Sequence, residues 1–132
     1  MKKWNKEDGY PQKEFLLPRK RYCQTLELKK DQHLIDEYVK VHSALYHWPE
    51  IREGIRAVGI LEMEIYRLDT TLFMVVETPI DFDWGKAFAE LSNLPRQEEW
   101  EAFVASFQYL TEDNGSSLEK WKLMDRMFYL YD

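Results

Sequence analysis

Cysteine is nearly absent: Cys23 is alone in 132 residues. One thiol cannot close an intramolecular disulfide, which points to a reducing compartment, and its place in an alternating segment reads as a small core residue. Long apolar runs are also missing, with none near the ~20 residues that cross a bilayer. The opening Met1-Lys2-Lys3-Trp4-Asn5-Lys6-Glu7 leads into no secretory hydrophobic region. The expected location is therefore cytoplasmic, with no membrane partner. The five glycines are scattered, without a P-loop or a G-x-G-x-x-G run, so nucleotide binding has no support. His33, His42 and His47 lack the i,i+3 or i,i+4 spacing of helical ligand pairs, and no metal is expected. A formal charge of −6 and a pI near 5.1, with no basic cluster beyond Arg19-Lys20-Arg21, speak against nucleic acid as a partner.

What is present suits a packed globule. The chain is 45% hydrophobic and 15% aromatic, enough for one core and for a pocket with flat walls. Residues 1–18 have no clear period and form an N-terminal extension ending in the apolar Phe15-Leu16-Leu17. Residues 19–132 form a single domain. Arg21 to Leu28 alternates, placing Tyr22, Gln24, Leu26 and Leu28 on one side of a first strand.

Asp31 is placed to cap a helix whose apolar stripe is Leu34, Ile35, Tyr38, Val41, His42 and Leu45, with an Asp36–Lys40 pair on the wet face. Trp48-Pro49-Glu50 opens a second helix that Gly59 terminates. Leu61 to Leu68 and Leu72 to Thr78 alternate around Asp69-Thr70, a β-hairpin. Asp83 caps a short helix through Leu91, and Pro95 opens another, in which Trp100, Phe103, Val104 and Phe107 share a face. Thr111 to Ser117 is a polar loop, and Trp121 to Tyr131 alternates like a last strand. The order β-α-α-β-β-α-α-β is an α+β, ferredoxin-like split βαβ arrangement with each crossover helix broken in two. An uncovered sheet face then calls for a homodimer.

Chemistry is best sought at Tyr38 and His42. Four residues apart on one helix, they bring a phenol and an imidazole to the same side, pointing inward, where burial tunes their titration. They are either an acid/base pair in a pocket or a buried pair that bonds only backbone. Trp48 and Trp100 are either core or a platform for a sugar ring. The strand acids Glu62, Glu64 and Glu77 are either a solvated edge or functional groups.

The ordered set Tyr38-x-x-x-His42, Trp48-Pro49-Glu50, Gly59 with Met63-Glu64-Ile65-Tyr66, Leu72-Phe73-Met74 ending at Glu77, and Gln97-x-x-Trp100 resembles the L-rhamnose mutarotase family. The likeness spans Lys20 to the C-terminus. It implies a dimeric α+β barrel, no cofactor, and His42 as general acid, with Tyr38 and Trp100 touching the sugar. A substrate-binding tyrosine of the family corresponds to Met63 here, and the first of a tryptophan pair corresponds to Glu99, so the sugar is L-rhamnose or another 6-deoxy sugar such as L-fucose. The expected site is catalytic His42 and Tyr38, with Trp100, Glu99, Met63 and Trp48 binding substrate. Two other functions are compatible with this fold: a cofactor-free oxygenase, or a small-molecule binding protein without turnover.

Overall fold

The computed structural model describes residues 3–109 and 120–131. Its central strand is the second arm of the expected hairpin: β1 (Arg19–Leu28) lies on one side of β3 (Thr71–Pro79), and β2 (Glu62–Leu68) on the other, all antiparallel. Between β1 and β2 come α1 (Gln32–Val41) and α2 (Pro49–Ala57). After β3 come α3 (Trp84–Leu91) and α4 (Gln97–Ala105). Two short strands, β4 (Gln108–Tyr109) and β5 (Lys122–Leu123), share the free edge of β1 end to end, giving the sheet order β2-β3-β1-β4. This is the ferredoxin-like α+β arrangement.

Strand alternation sorts the residues as the pattern demands. Leu72, Met74, Val76 and Thr78 on β3 are all buried against the helices, joined by Gln24, Leu26 and Leu28 of β1. Burying an aliphatic side chain such as Leu72 or Val76 contributes about 1.5–3 kcal/mol each. The outer face carries Arg19, Arg21, Cys23 and Thr25, and there Glu77 is enclosed by two guanidinium groups, Arg19 Nη1 at 2.7 Å and Arg21 Nη2 at 2.6 Å. Cys23 belongs to this outer face, half-buried, rather than to the core.

Local signals act where expected. The Asp31 carboxylate accepts from Leu34 N and the Asp83 carboxylate from Lys86 N, one capping each first-half helix. Pro49 occupies the first turn of α2, and Gly59 has φ +99°, the left-handed backbone that ends the helix. Asp69 at φ 54° turns the hairpin, closing Leu68 onto Thr71.

Four expectations are corrected. Helix α1 ends at Val41, so Leu45 leaves the apolar stripe and is exposed. Asp36 accepts from Gln32 Nε2 one turn back, while Lys40 lies 4.6 Å from the Tyr46 ring centre. Helix α4 starts two residues after Pro95, with Arg96 left-handed at φ 64° as its cap. The last strand is short: after Met124 N bonds Cys23 O, the chain leaves the sheet, exposing Met127, Phe128, Leu130 and Tyr131. The loop expected over Thr111 to Ser117 lies outside the described residues.

The extension reaches the sheet. Tyr10 meets the ring of Tyr66 edge-on at 5.8 Å, and Gln12 Nε2 donates to Glu64 Oε2 at 3.2 Å. Phe15 lies beneath Arg19.

Candidate active site

The last turn of α1 brings together the two residues that the sequence singled out, Tyr38 and His42. His42 is the C-cap residue, and its Nδ1 lies 2.6 Å from the carbonyl oxygen of Tyr38. A carbonyl only accepts, so Nδ1 carries the proton and Nε2 is left with its lone pair. Burial holds the imidazole pKa below 6.5, partly opposed by that backbone bond and reinforced by the nearby Arg52 guanidinium, which donates to His42 O at 3.1 Å. At neutral pH the ring is therefore an uncharged base. The Tyr38 ring lies 4.4 Å from it, centre to centre. Burial pushes the Tyr38 phenol up to about 12, against a hydrogen bond from Gln108 that favours the phenolate. Tyr38 is a hydroxyl donor at any physiological pH.

Aromatic rings close the walls. Trp100, from α4, presents an edge to His42 at 5.2 Å and to Trp48 at 5.1 Å. Trp48, fixed just before Pro49, stacks on Phe103 at 5.4 Å with 16° between planes. On Trp48 lies the guanidinium of Arg96, 4.1 Å from the ring centre.

Tyr38, His42, Trp48 and Trp100 line a cavity of about 540 Å³ between the helices and the inner face of the sheet, a volume typical of small-molecule sites. The sheet supplies Gln24, Met63, Ile65 and Met74; α2 supplies Ile51, Arg52 and Arg56; and α4 supplies Gln97, Glu101 and Val104. Gln97 packs on Gly54 so closely that a Cβ there would lie 2.6 Å from its Nε2. The walls thus combine apolar side chains and aromatic rings with amides, imidazoles and several charged groups, a lining that can take a ligand with apolar faces and a polar rim. Among the described residues, no group of three His, Cys, Asp or Glu could hold a metal ion.

Of the expected site residues, the fold brings Tyr38, His42, Trp48, Met63 and Trp100 to this one cavity. Glu99 is not among them. Its carboxylate is exposed on the far side of α4, where Arg96 Nε and Nη2 hold it at 3.1 and 3.0 Å. A residue adjacent to a buried tryptophan is rotated about 100° around the helix, which here takes Glu99 away from the cavity. Glu101, on the other side of Trp100, does reach the cavity wall. Gln24, Gln108, Arg52, Arg56 and Glu101 carried no expectation of a site role. For Gln24 there was a signal, an amide on the apolar face of a strand; for Gln108, in the two-residue strand β4, there was none.

The fold and the pocket define a ferredoxin-like α+β protein with a cavity of a size that takes a small molecule. A family model described as L-rhamnose mutarotase matches residues 21–130, and the chain belongs to that family. It is an isomerase of the class that acts on carbohydrates. A UPF0734 protein of Dictyostelium discoideum is 36% identical over 114 residues, covering 84% of this chain and 90% of its own. An L-fucose mutarotase of Xanthomonas campestris is 33% identical over 110 residues, covering 83% and 87%. The crystal structure of an L-rhamnose mutarotase from Formosa agariphila shares the fold, with a TM-score of 0.61 at 23% identity, covering 84% of this chain and 98% of that one. No helix among the described residues is long and apolar enough to cross a membrane.

Proposed function

We propose that the protein interconverts the α and β anomers of a 6-deoxy-L-hexose, L-rhamnose or L-fucose, with His42 as the general acid/base. The observation that carries this is the convergence of an uncharged imidazole and a protonated phenol in one aromatic-walled cavity. His42 Nε2 takes the proton of the anomeric hydroxyl while the Tyr38 hydroxyl donates to the ring oxygen; the C1–O5 bond breaks and an open aldehyde forms. Rotation about C1–C2 presents the other carbonyl face. The O5 hydroxyl then attacks C1 and gives its proton back to the Tyr38 phenolate, while the imidazolium returns its proton to the carbonyl oxygen, so both groups end as they began and His42 serves as acid only after serving as base. Trp100 and Trp48 offer walls for the sugar faces, and Met63 with Ile65 offers an apolar patch for the C6 methyl. The scheme uses no cofactor.

Exchange spectroscopy by NMR, run on a panel of 6-deoxy sugars, tests this directly. Protein-dependent exchange between α and β signals of L-rhamnose or L-fucose is expected. Its absence for every 6-deoxy sugar would overturn the assignment.

A homodimer in the cytoplasm completes the reading. The outer sheet face, bordered by the extension, is the expected interface. The tail beyond β5 adds support: Met127 is 94% exposed and Tyr131 79% exposed, an apolar segment that a second copy would cover. The lone thiol Cys23 fits a reducing compartment. Sedimentation should give a dimer at micromolar concentration, and a stable monomer would refute the interface.

A further inference from the structure

Three buried polar side-chain atoms lack a hydrogen-bond partner among the described residues: Glu50 Oε1, Trp84 Nε1 and Gln108 Oε1. Glu50 Oε1 still faces the Arg96 guanidinium at 3.5 Å, and Trp84 is packed between Tyr22 and Phe88. Of the three, Gln108 alone lies on the wall of the cavity. It is 3% exposed, and its backbone is held by pairing with Leu28 and by the bond from Lys29 N to Phe107 O.

An unpaired carbonyl in such a place is destabilising unless something supplies a proton. The amide lies within reach of the Tyr38 phenol, and its carbonyl oxygen is the end left unpaired. With the amide donating to the phenol oxygen, the phenol's own hydrogen is directed elsewhere. Tyr38 and Gln108 thus offer the cavity one donor and one acceptor side by side. We propose that Gln108 is a substrate-binding residue that reads the hydroxyl pattern of the sugar, its carbonyl accepting from a ring hydroxyl next to the atom that Tyr38 addresses. Epimers differ in the direction of one hydroxyl, so an acceptor fixed on one side separates them: the wrong epimer leaves the carbonyl unpaired. The inference rests on the mutarotase reading and adds the residue that selects among its substrates.

The test is Gln108→Met, an apolar side chain of similar length. Anomer exchange is measured by NMR for L-rhamnose, L-fucose and the 2-, 3- and 4-deoxy analogues of the better substrate. The variant should melt at or above the wild-type temperature, since it removes a buried unpaired atom. Its kcat/KM for the better substrate should fall by roughly five- to a hundredfold, the loss expected when a sugar hydroxyl is left unpaired. For one deoxy analogue, the one lacking the hydroxyl that Gln108 binds, wild type and variant should be equal. A structural role, or one exerted only through Tyr38, would lower exchange of every analogue alike, and that result overturns the proposal. So does a variant matching wild type on all sugars. Wild type that exchanges none of them overturns the mutarotase reading itself, and this assignment with it. Gln108→Leu gives the same comparison if the methionine variant does not fold.

Discussion

Replacing His42 with asparagine keeps a polar side chain at the end of α1 and removes the titrating ring. Two losses follow, and they are separable in size. The chemical loss is that of a positioned general acid/base, roughly 10²–10⁴-fold in rate, which corresponds to about 2.7–5.4 kcal/mol of barrier at 1.36 kcal/mol per decade. The structural loss is smaller. The ring gives up a bond to Tyr38 O, worth about 1 kcal/mol, and contacts with Tyr38 and Trp100, worth roughly 0.5–1.5 kcal/mol. No ionic interaction is lost, because the buried imidazole is uncharged. A total of about 1.5–2.5 kcal/mol lowers the melting temperature by roughly 5–12 °C for a chain of this size. The protein should stay folded at room temperature with its exchange activity nearly gone. The assay is α/β exchange by NMR, normalised to folded protein by circular dichroism, for wild type and His42→Asn. Exchange within a few-fold of wild type would refute the role of His42 and move the proton transfer to a carboxylate on the cavity wall, Glu101 or Glu62.

The same histidine sets the pH dependence. Its folded pKa lies below 6.5, so the neutral form that the proposed mechanism needs predominates at pH 7, and exchange should fall with a midpoint below 6.5; a midpoint above that value would contradict burial as the cause. The stability linked to this group has the same sign: it is fully present above 6.5 and is lost as pH falls through the depressed folded value, which acid-side melting curves of wild type and His42→Asn should reveal as a difference. Glu99→Gln should leave the relative rates on L-rhamnose and L-fucose unchanged, because Arg96 holds that carboxylate outside the cavity; an altered preference would show that the side chain reaches substrate. Gly59→Ala should cost roughly 1–2 kcal/mol through its positive φ alone, since a Cβ there meets Phe82 only at 3.8 Å, and an unchanged melting temperature would contradict that account.

Much of the fold is written in short-range signals, each of which acts on its own backbone. Asp31 and Asp83 satisfy orphan amides one turn away, Pro49 prepares the first turn of α2, Gly59 supplies a positive φ, and strand alternation decides which residues of β3 face the helices. The spacing of Tyr38 and His42 likewise puts them together, because i and i+4 are neighbours on any α-helix. What local pattern could not decide was the length of each element and the rotation of each helix against the sheet. Leu45 belongs to the apolar stripe only if α1 runs past His42, and it does not. The alternation of Trp121 to Tyr131 makes a strand only where the chain stays on the sheet edge, and it pairs with β1 at Lys122 and Leu123 and leaves after Met124. Glu99 and Glu101 flank Trp100 equally in the sequence, and only the packing of α4 turns Glu101 to the cavity and Glu99 to solvent. Gln108 has no local signal at all, since the role proposed for it depends on Tyr38, seventy positions earlier in the chain, reaching the same cavity across the core. Period and capping are properties of the backbone nearby, whereas a cavity is a property of surfaces that meet only when the chain has folded.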